Sequence, residues 1–519
     1  MLGNPTFRIK KLIAIIAGGI LVIPLAFLVY RGILGWSFLG EINSSIYLAT
    51  TKLVVLTLFL ACLLAVVNGV FLFYFQGKHK QLLFLLLLLP LAFPTYIMAF
   101  NYAVIWEFLS YLFGVSRSGI KSIYGLSLVC SLCLYPYILL PFHMFLQKRG
   151  KAWFAQAEVM GVSQGKLWIS VVLPCSAGAI LLGASLVGYE LLNDYGAAKY
   201  YGVNTLTTQI FKSWFGRNQL NEAMGIALLL LVIILALRYV VSVFKTEEGK
   251  TSKTQVLYTP KLRVAVSIFL SFFFWFTLLA ALLLPVFAMG YGLYFDWNLQ
   301  DWSILFSAGL NSVVVALLNA LFTVLIVAII AEMEVFSSSK YLKANHKILA
   351  SGYAIPGAVI AVAVIGFGTG VFKLIAEVDF ELAKWLNQSL ILLLLALVFK
   401  LYAVAVPSVQ VGWETFGKSQ VAAIKVFQRF SSINLFGRVV QPQMLKFYAG
   451  AALFVFIDTL KELPITLLLR PFNFETLAVK AYNLVEDEFL YRAAPYSLII
   501  CLFCALGIYL FNRINRTLD

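Results

Sequence analysis

Four carboxylates stand where carboxylates are costly. Glu190 and Asp194 are four residues apart, as are Asp458 and Glu462, and both pairs fall in or beside apolar runs. That spacing predicts both members of a pair on one helix face. At a bilayer centre each charge costs about 2.5–3.5 kcal/mol, so each must face a cavity, a partner or the interface. Either they line a path for a cation, with Asn193 among them, or they sit at helix ends near the outer surface and hold loops through Lys461 or Lys199. No metal site is predicted there, because no His or Cys stands beside them. His79, His143 and His346 all lie near the opposite ends of the apolar runs. Two cysteine pairs have CxxC spacing, 130/133 and 501/504. Inside apolar helices they read as small packing residues rather than redox or zinc ligands. Nucleotide chemistry has no support either. Gly249-Lys250-Thr251 is the nearest approach to a phosphate-binding loop, but Phe244 occupies its first glycine position and no strand precedes it. No catalytic residues are predicted.

The elements that position these groups are membrane helices. The chain is 62% hydrophobic and 12% charged, against about 45–50% and about 25% in soluble domains. Lipid is therefore the solvent for most of it. The net charge of +16 fits Lys and Arg kept on cytoplasmic loops. No basic stretch is interleaved with stacking aromatics outside the apolar runs, so nucleic acid is excluded as a partner. Crossing the hydrocarbon takes about 20 apolar residues. Suitable runs fall near 12–31, 52–75, 81–106, 122–146, 175–194, 222–244, 264–290, 304–332, 347–372, 388–411, 446–468 and 493–512. The first follows Arg8, Lys10 and Lys11 but lacks a small-x-small cleavage site, so it reads as a span and not a signal peptide. Lys and Arg cluster on one set of loops, whereas the loop at 294–303 has neither. The positive-inside rule then places both termini in the cytoplasm.

The runs repeat. Ala92-Phe93-Pro94 matches Ala354-Ile355-Pro356 at an offset of 262, Leu173-Pro174 matches Gln441-Pro442 at 268, and Thr205-Leu206 matches Thr476-Leu477 at 271. This predicts two parallel halves of six spans each, 1–244 and 263–519, joined by a polar cytoplasmic linker at 245–262. A pseudo-twofold axis along the membrane normal follows. Pro90, Pro94 and Pro356 interrupt apolar runs, and such breaks free backbone groups that need neighbours or water.

Between the fourth and fifth runs lies a segment built as an elbow, about 147–174. Ala152 to Met160 has few helix breakers. Gly161 suits the left-handed position that ends a helix. Ser163 can cap a second helix near Lys166, and Pro174 fits the start of the next span. A rigid elbow of this kind can fit a cleft on a partner and turn its motion into helix tilt.

Ala155 to Pro174 is similar to the EAA loop of ABC-transporter permeases, the segment that docks on the ATPase. Ala157, Gly161, Val171, Leu173 and Pro174 match that pattern; Ala155 stands where the family has Glu, Gln156 where it has Ala, and Glu158 is the nearby acid. The second copy, about 413–445, is more degenerate. It keeps Ala422, Ala423 and Pro442, with Phe427 near the glycine position and Gln441 in place of Leu. Leu192-Asn193-Asp194-Tyr195-Gly196 with Tyr200 to Thr208 resembles the first half of permeases that import ferric iron with a binding protein. Lys461-Glu462-Leu463-Pro464 with Leu467 to Ala478 resembles the second half.

The resemblance implies an all-α polytopic protein of two tandem six-helix halves of the ABC importer type I kind, with about twelve transmembrane helices. It implies a bacterial inner-membrane location and import of ferric iron or a related solute. Two cytoplasmic ATPase subunits would dock on the two loops, and a periplasmic or extracellular binding protein would deliver the solute. ATP would be used by the partner ATPase, with no cofactor bound by this chain. The rival readings are the same machine for thiamine, a polyamine or a phosphonate, and a secondary transporter driven by an ion gradient.

Overall fold

The structure is a computed structural model that describes residues 5–114, 116, 119–243, 263–336, 339–416, 420–423 and 440–516. The linker expected at 245–262 lies outside them, as does Phe427. Among the described residues all regular structure is helical.

The first set of helices opens with α1 (Pro5–Leu34) and α2 (Ser44–Tyr74). The third apolar run does not form one helix. α3 (Lys80–Leu88) passes into a tight turn at Leu89–Ala92, and α4 (Thr95–Phe113) starts afresh with Pro94 as its N-cap. Proline has no N–H to continue the ladder, and Phe93 before it is extended, as proline demands of its predecessor. The fourth run bends by 42° between α5 (Ile123–Leu134) and α6 (Pro136–Phe145). The elbow follows as α7 (Lys151–Val159) and α8 (Gln164–Leu167). Then come α9 (Leu173–Asn193), the short α10 (Gly196–Tyr200) and α11 (Leu206–Phe211), and α12 (Leu220–Val243).

The second set repeats the order. α13 (Val264–Leu278) and α14 (Leu284–Asp296) join through a π turn ahead of Pro285, and α15 (Trp302–Phe336) follows. The ninth run is broken like the third: α16 (Lys340–Leu349), a turn at Gly352–Ala354, then α17 (Gly357–Ala376) with Pro356 as N-cap. α18 (Phe380–Gln388) is a short surface helix before α19 (Ile391–Glu414). α20 (Gln441–Lys461) is followed by the short α21 (Pro464–Leu469) and α22 (Leu477–Glu486), then by α23 (Ala494–Arg516). Among the described residues ten helices are long and apolar enough to cross a membrane, and the bent α5–α6 pair makes an eleventh. The twelfth run corresponds to α23, which with the turn before it gives a shorter apolar stretch, Tyr491–Gly507.

The repeat extends to individual hydrogen bonds. Thr205 caps α11 and Thr476 caps α22. The Leu206 amide donates to Thr50 Oγ1 at 3.1 Å, and the Leu477 amide donates to Ser312 Oγ at 2.7 Å. The two sets interlock. α1 packs on α15 and α17, while α13 and α14 pack on α2 and α4. One continuous buried core therefore runs through both. Cys130, Cys133, Cys501 and Cys504 are free thiols buried in it, as expected of packing residues.

Candidate functional site

The four carboxylates gather where broken helices meet. The expectation that each pair shares one helix face is not met, because both helices stop one residue too soon. α9 ends at Asn193 and α20 at Lys461. Asp194 and Glu462, the next residues, are extended, with φ/ψ of −75°/109° and −71°/116°. Each carboxylate turns back to take an N–H of the short helix that follows. Asp194 Oδ1 accepts from the Ala197 amide at 3.0 Å, and Glu462 Oε1 from the Ile465 amide at 3.3 Å. These caps satisfy donors that a helix start leaves open. The cost of breaking a span here is met by the side chains that break it.

Across the interface the second set closes the joint. The Gly357 amide, at the start of α17, donates to Asn193 Oδ1 at 2.5 Å. A Cβ at Gly357 would come within 2.6 Å of Glu462 Oε1 and 3.2 Å of Asn193 Oδ1, so any side chain there would press on the polar groups of the joint, and glycine lets the backbone approach them. α3 with its turn advances roughly 20 Å from Lys80 before the break, at ~1.5 Å per residue. The joint itself is shielded from solvent, with Asp194, Glu462 and Gly357 all buried.

The result is a small chamber of about 90 Å³, lined by Glu190, Asp194, Asp458, Glu462, Lys400, Lys461, Tyr137 and Tyr353 among others. Lys400 and Glu462 pair at 2.6 Å, and both side chains are almost fully buried. Lys461 pairs with Asp458 at 2.9 Å. That leaves Glu190 and Asp194 without an ammonium partner among the described residues. Glu190 instead accepts from Tyr353 at 2.6 Å and from Tyr137 at 3.5 Å. Asp194 Oδ2 is buried with no hydrogen-bond partner. Two ammonium groups face four carboxyls, so the chamber favours a cation.

Lys461 does meet an acid, as the sequence suggested, but Lys199 is exposed and takes no part in the chamber. Lys400, Tyr137 and Tyr353 escaped the sequence reading. Lys400 left a signal, a lone ammonium inside the run at 388–411, which is a functional pointer by itself. The tyrosines left none, being two among 25. Among the described residues no group of three His, Cys, Asp or Glu is placed to hold a metal ion.

Below the chamber lies a vestibule of about 1070 Å³ on the side of the elbow, lined by Arg238, Ser408, Lys446 and Phe447. Tyr137 and Tyr353 line both spaces. Their hydroxyls are 3.4 Å apart, and they form the floor between the two together with Leu91, Asp458 and Lys461, which also line both spaces.

The elbow is rigid by construction. Met160 caps α7, and Gly161 follows at φ +68°. Its amide reaches Glu158 O at 3.1 Å, and the Val162 amide reaches Ala157 O at 2.9 Å. This bond pair is the glycine-dependent helix stop described for left-handed caps. Ser163 occupies the N-cap of α8 but its side chain makes no cap bond, contrary to the expectation. A separate buried cluster ties the elbow down. Phe154, Ala157 and Leu167 pack on Phe73 and Phe142. Trp168 Nε1 donates to Tyr74 OH at 2.9 Å. Leu146–Gly150 and Trp168–Val172 are π turns that run straight into α7 and α9. Pro174 is at the first turn of α9, with Leu173 before it. Ala155 is half-buried, while Gln156, Glu158, Val159 and Met160 are exposed. Val159 and Met160 form an apolar tip, 89% and 76% exposed. In the second copy Ala422 and Ala423 are helical and Pro442 occupies the first turn of α20, matching Pro174.

No family model matches the chain. It is 23% identical over 444 residues to the Fe(3+)-transport system permease protein FbpB 2 of Haemophilus influenzae, an alignment covering 82% of this chain and 81% of that one. The polytopic all-helical fold agrees with the resemblance read in the sequence, and the chain is a multi-pass membrane protein.

Proposed function

We propose that this chain is the transmembrane permease of an ATP-driven importer, and that its solute is ferric iron. The observation that carries the reading is the buried chamber with two carboxyls unmatched by ammonium groups, formed where the two helix sets break at equivalent positions. Discontinuous helices at a repeat interface are a recurrent way to build a transport site. The named activity of the Haemophilus permease supports iron as the solute. A phosphonate would meet unmatched negative charge at Glu190 and Asp194.

In this reading residues 1–244 and 263–519 are two halves joined by a cytoplasmic linker, 245–262, and both termini are cytoplasmic in a bacterial inner membrane. Two ATPase subunits dock on the elbow and on its counterpart around Ala422 and Ala423. The exposed Val159–Met160 tip supplies the first contact. Nucleotide binding in the partners moves the elbow. Its aromatic anchor on α2 and its unbroken joins to α6 and α9 pass that motion to the chamber walls. An external binding protein delivers the ion, and the chain itself hydrolyses nothing. The vestibule on the elbow side supports a cytoplasm-facing state.

Labelled ferric-iron uptake tests this, in cells that carry the ATPase and the binding protein with and without the chain. Uptake that needs the chain and ATP is the expected result. Gly161→Asp should leave the chain in the membrane and abolish uptake, because a side chain is strained at this left-handed position and sets a carboxylate beside the exposed Val159–Met160 tip that meets the ATPase. Iron uptake that is unchanged without the chain overturns the reading.

A further inference from the structure

Three oxygens at the chamber floor form a set that no sequence motif announces. Tyr353 OH is 2.6 Å from Glu190 Oε1, Tyr137 OH is 3.5 Å from the same oxygen, and the two hydroxyls are 3.4 Å apart. We propose that Tyr137, Tyr353 and Glu190 are a transit site that binds ferric ion directly, as two phenolates and a carboxylate. The proposal rests on the ferric-iron reading above.

The geometry is suited to it. Edges of 2.6, 3.4 and 3.5 Å place a point about 2 Å from all three oxygens, the bond length that small hard cations make. Hard, highly charged ions favour anionic oxygen over sulfur or imidazole, and the chamber offers oxygen. Another carboxyl oxygen lines the same chamber. Asp194 Oδ2 is buried without a hydrogen-bond partner. The other two acids are already held by Lys400 and Lys461, so they do not compete for the ion.

The ligands come from both helix sets. Tyr137 is on α6 and Glu190 on α9, whereas Tyr353 stands in the turn before α17. A bound ion would therefore bridge the two sets, and separating them would dismantle the site. Release toward the vestibule follows from the position of both tyrosines between chamber and vestibule. The step balances as ligand exchange. Ferric ion gains two phenolate bonds and one carboxylate bond, it loses its carrier ligands, and two phenol protons pass to water in the vestibule. No electron moves.

The test uses the purified full chain in lipid nanodiscs, titrated with ferric nitrilotriacetate. Phenolate bound to ferric iron gives a charge-transfer band in visible light that carboxylate alone does not. The wild-type chain should develop the band. Tyr137→Phe and Tyr353→Phe should each weaken it, and the double variant should lose it along with cellular iron uptake. Tyr102→Phe is the control. Its hydroxyl bonds Ala280 O at 2.7 Å, away from the chamber, and the variant should keep the band. A wild-type chain that supports iron uptake in cells yet shows no band overturns the transit site and leaves the permease reading standing. A band that persists in the double variant overturns it equally. If the cells take up no iron through this chain, the ferric reading fails and the site fails with it.

Discussion

The break after α9 and the break after α20 share a backbone and differ in charge. Glu190, Asn193 and Asp194 stand at an offset of 268 from Asp458, Lys461 and Glu462. In both, a helix stops, an acid caps the next short helix, and a proline-started helix packs opposite. The second break neutralises its acids, with Lys461 on Asp458 and Lys400 on Glu462. The first has Asn193 in place of lysine, so Glu190 and Asp194 have no ammonium partner among the described residues. The two breaks share one frame. One is an ion-pair joint, and in the proposed reading the other is open to a cation.

The largest effect should come from breaking the neutral side. Lys400→Met leaves Glu462 buried and unpaired, which costs about 3–5 kcal/mol for a pair of this kind. The expected outcome is a large fall in the thermal midpoint in detergent, or loss of the protein from the membrane. Lys400→Met with Glu462→Gln should recover most of it. A single variant as stable as wild type would mean the pair is not the joint described.

The converse change makes the first break resemble the second. Asn193→Lys puts an ammonium beside Glu190 and Asp194. Uptake should fall about tenfold, equivalent to ~1.4 kcal/mol at the barrier, with a smaller change in thermal midpoint than Lys400→Met. Transport at the wild-type rate would show that the charge difference between the breaks is irrelevant.

A third variant probes the contact between the two sets. Gly357→Ala drives a methyl toward Glu462 and Asn193. Forced overpacking of this kind costs about 1–3 kcal/mol, so stability and uptake should fall together, by less than for Lys400→Met. Uptake and midpoint both at wild-type values would show that the close approach is not required.

The smallest effect lies outside the spans, on the second set alone. Burial pushes the Glu475 carboxyl up, but its bond to Lys480 at 2.9 Å, with Arg470 at 3.4 Å, outweighs this and holds it below the usual range. A carboxyl depressed in the folded state stabilises above its unfolded pKa, and that contribution is lost as pH falls through the folded value. Acidification should therefore lower the thermal midpoint, and Glu475→Gln should flatten that slope slightly. An identical slope in the variant would remove Glu475 from the account.

Much of this fold was legible because lipid leaves few options. Each of the twelve apolar runs corresponds to a helix, a bent pair or a broken span, and the repeat was visible in three short matches. The chamber was half legible. The acids were conspicuous in an apolar setting, but their geometry was not, since spacing cannot tell a helix that continues from one that stops at Asn193. Pro94 and Pro356 hinted at breaks in the third and ninth spans. The breaks in the fifth and eleventh had Pro464 as the only comparable hint, and none stood beside Asp194. Tyr137 and Tyr353 meet only because α6 and the turn before α17 converge, 216 residues apart in the chain. The elbow was legible in its glycine and proline, whereas its aromatic anchor on Phe73 and Tyr74 is tertiary and left no local mark.

The most direct test of the central claim is the initial rate of labelled ferric-iron uptake by the intact importer carrying Glu190→Gln and Asp194→Asn together. Both changes keep shape and one accepting oxygen and remove charge. The account predicts that uptake is lost while the chain still assembles with its ATPase. Uptake at the wild-type rate would contradict it, because a path that needs neither unpaired carboxylate is not the one described.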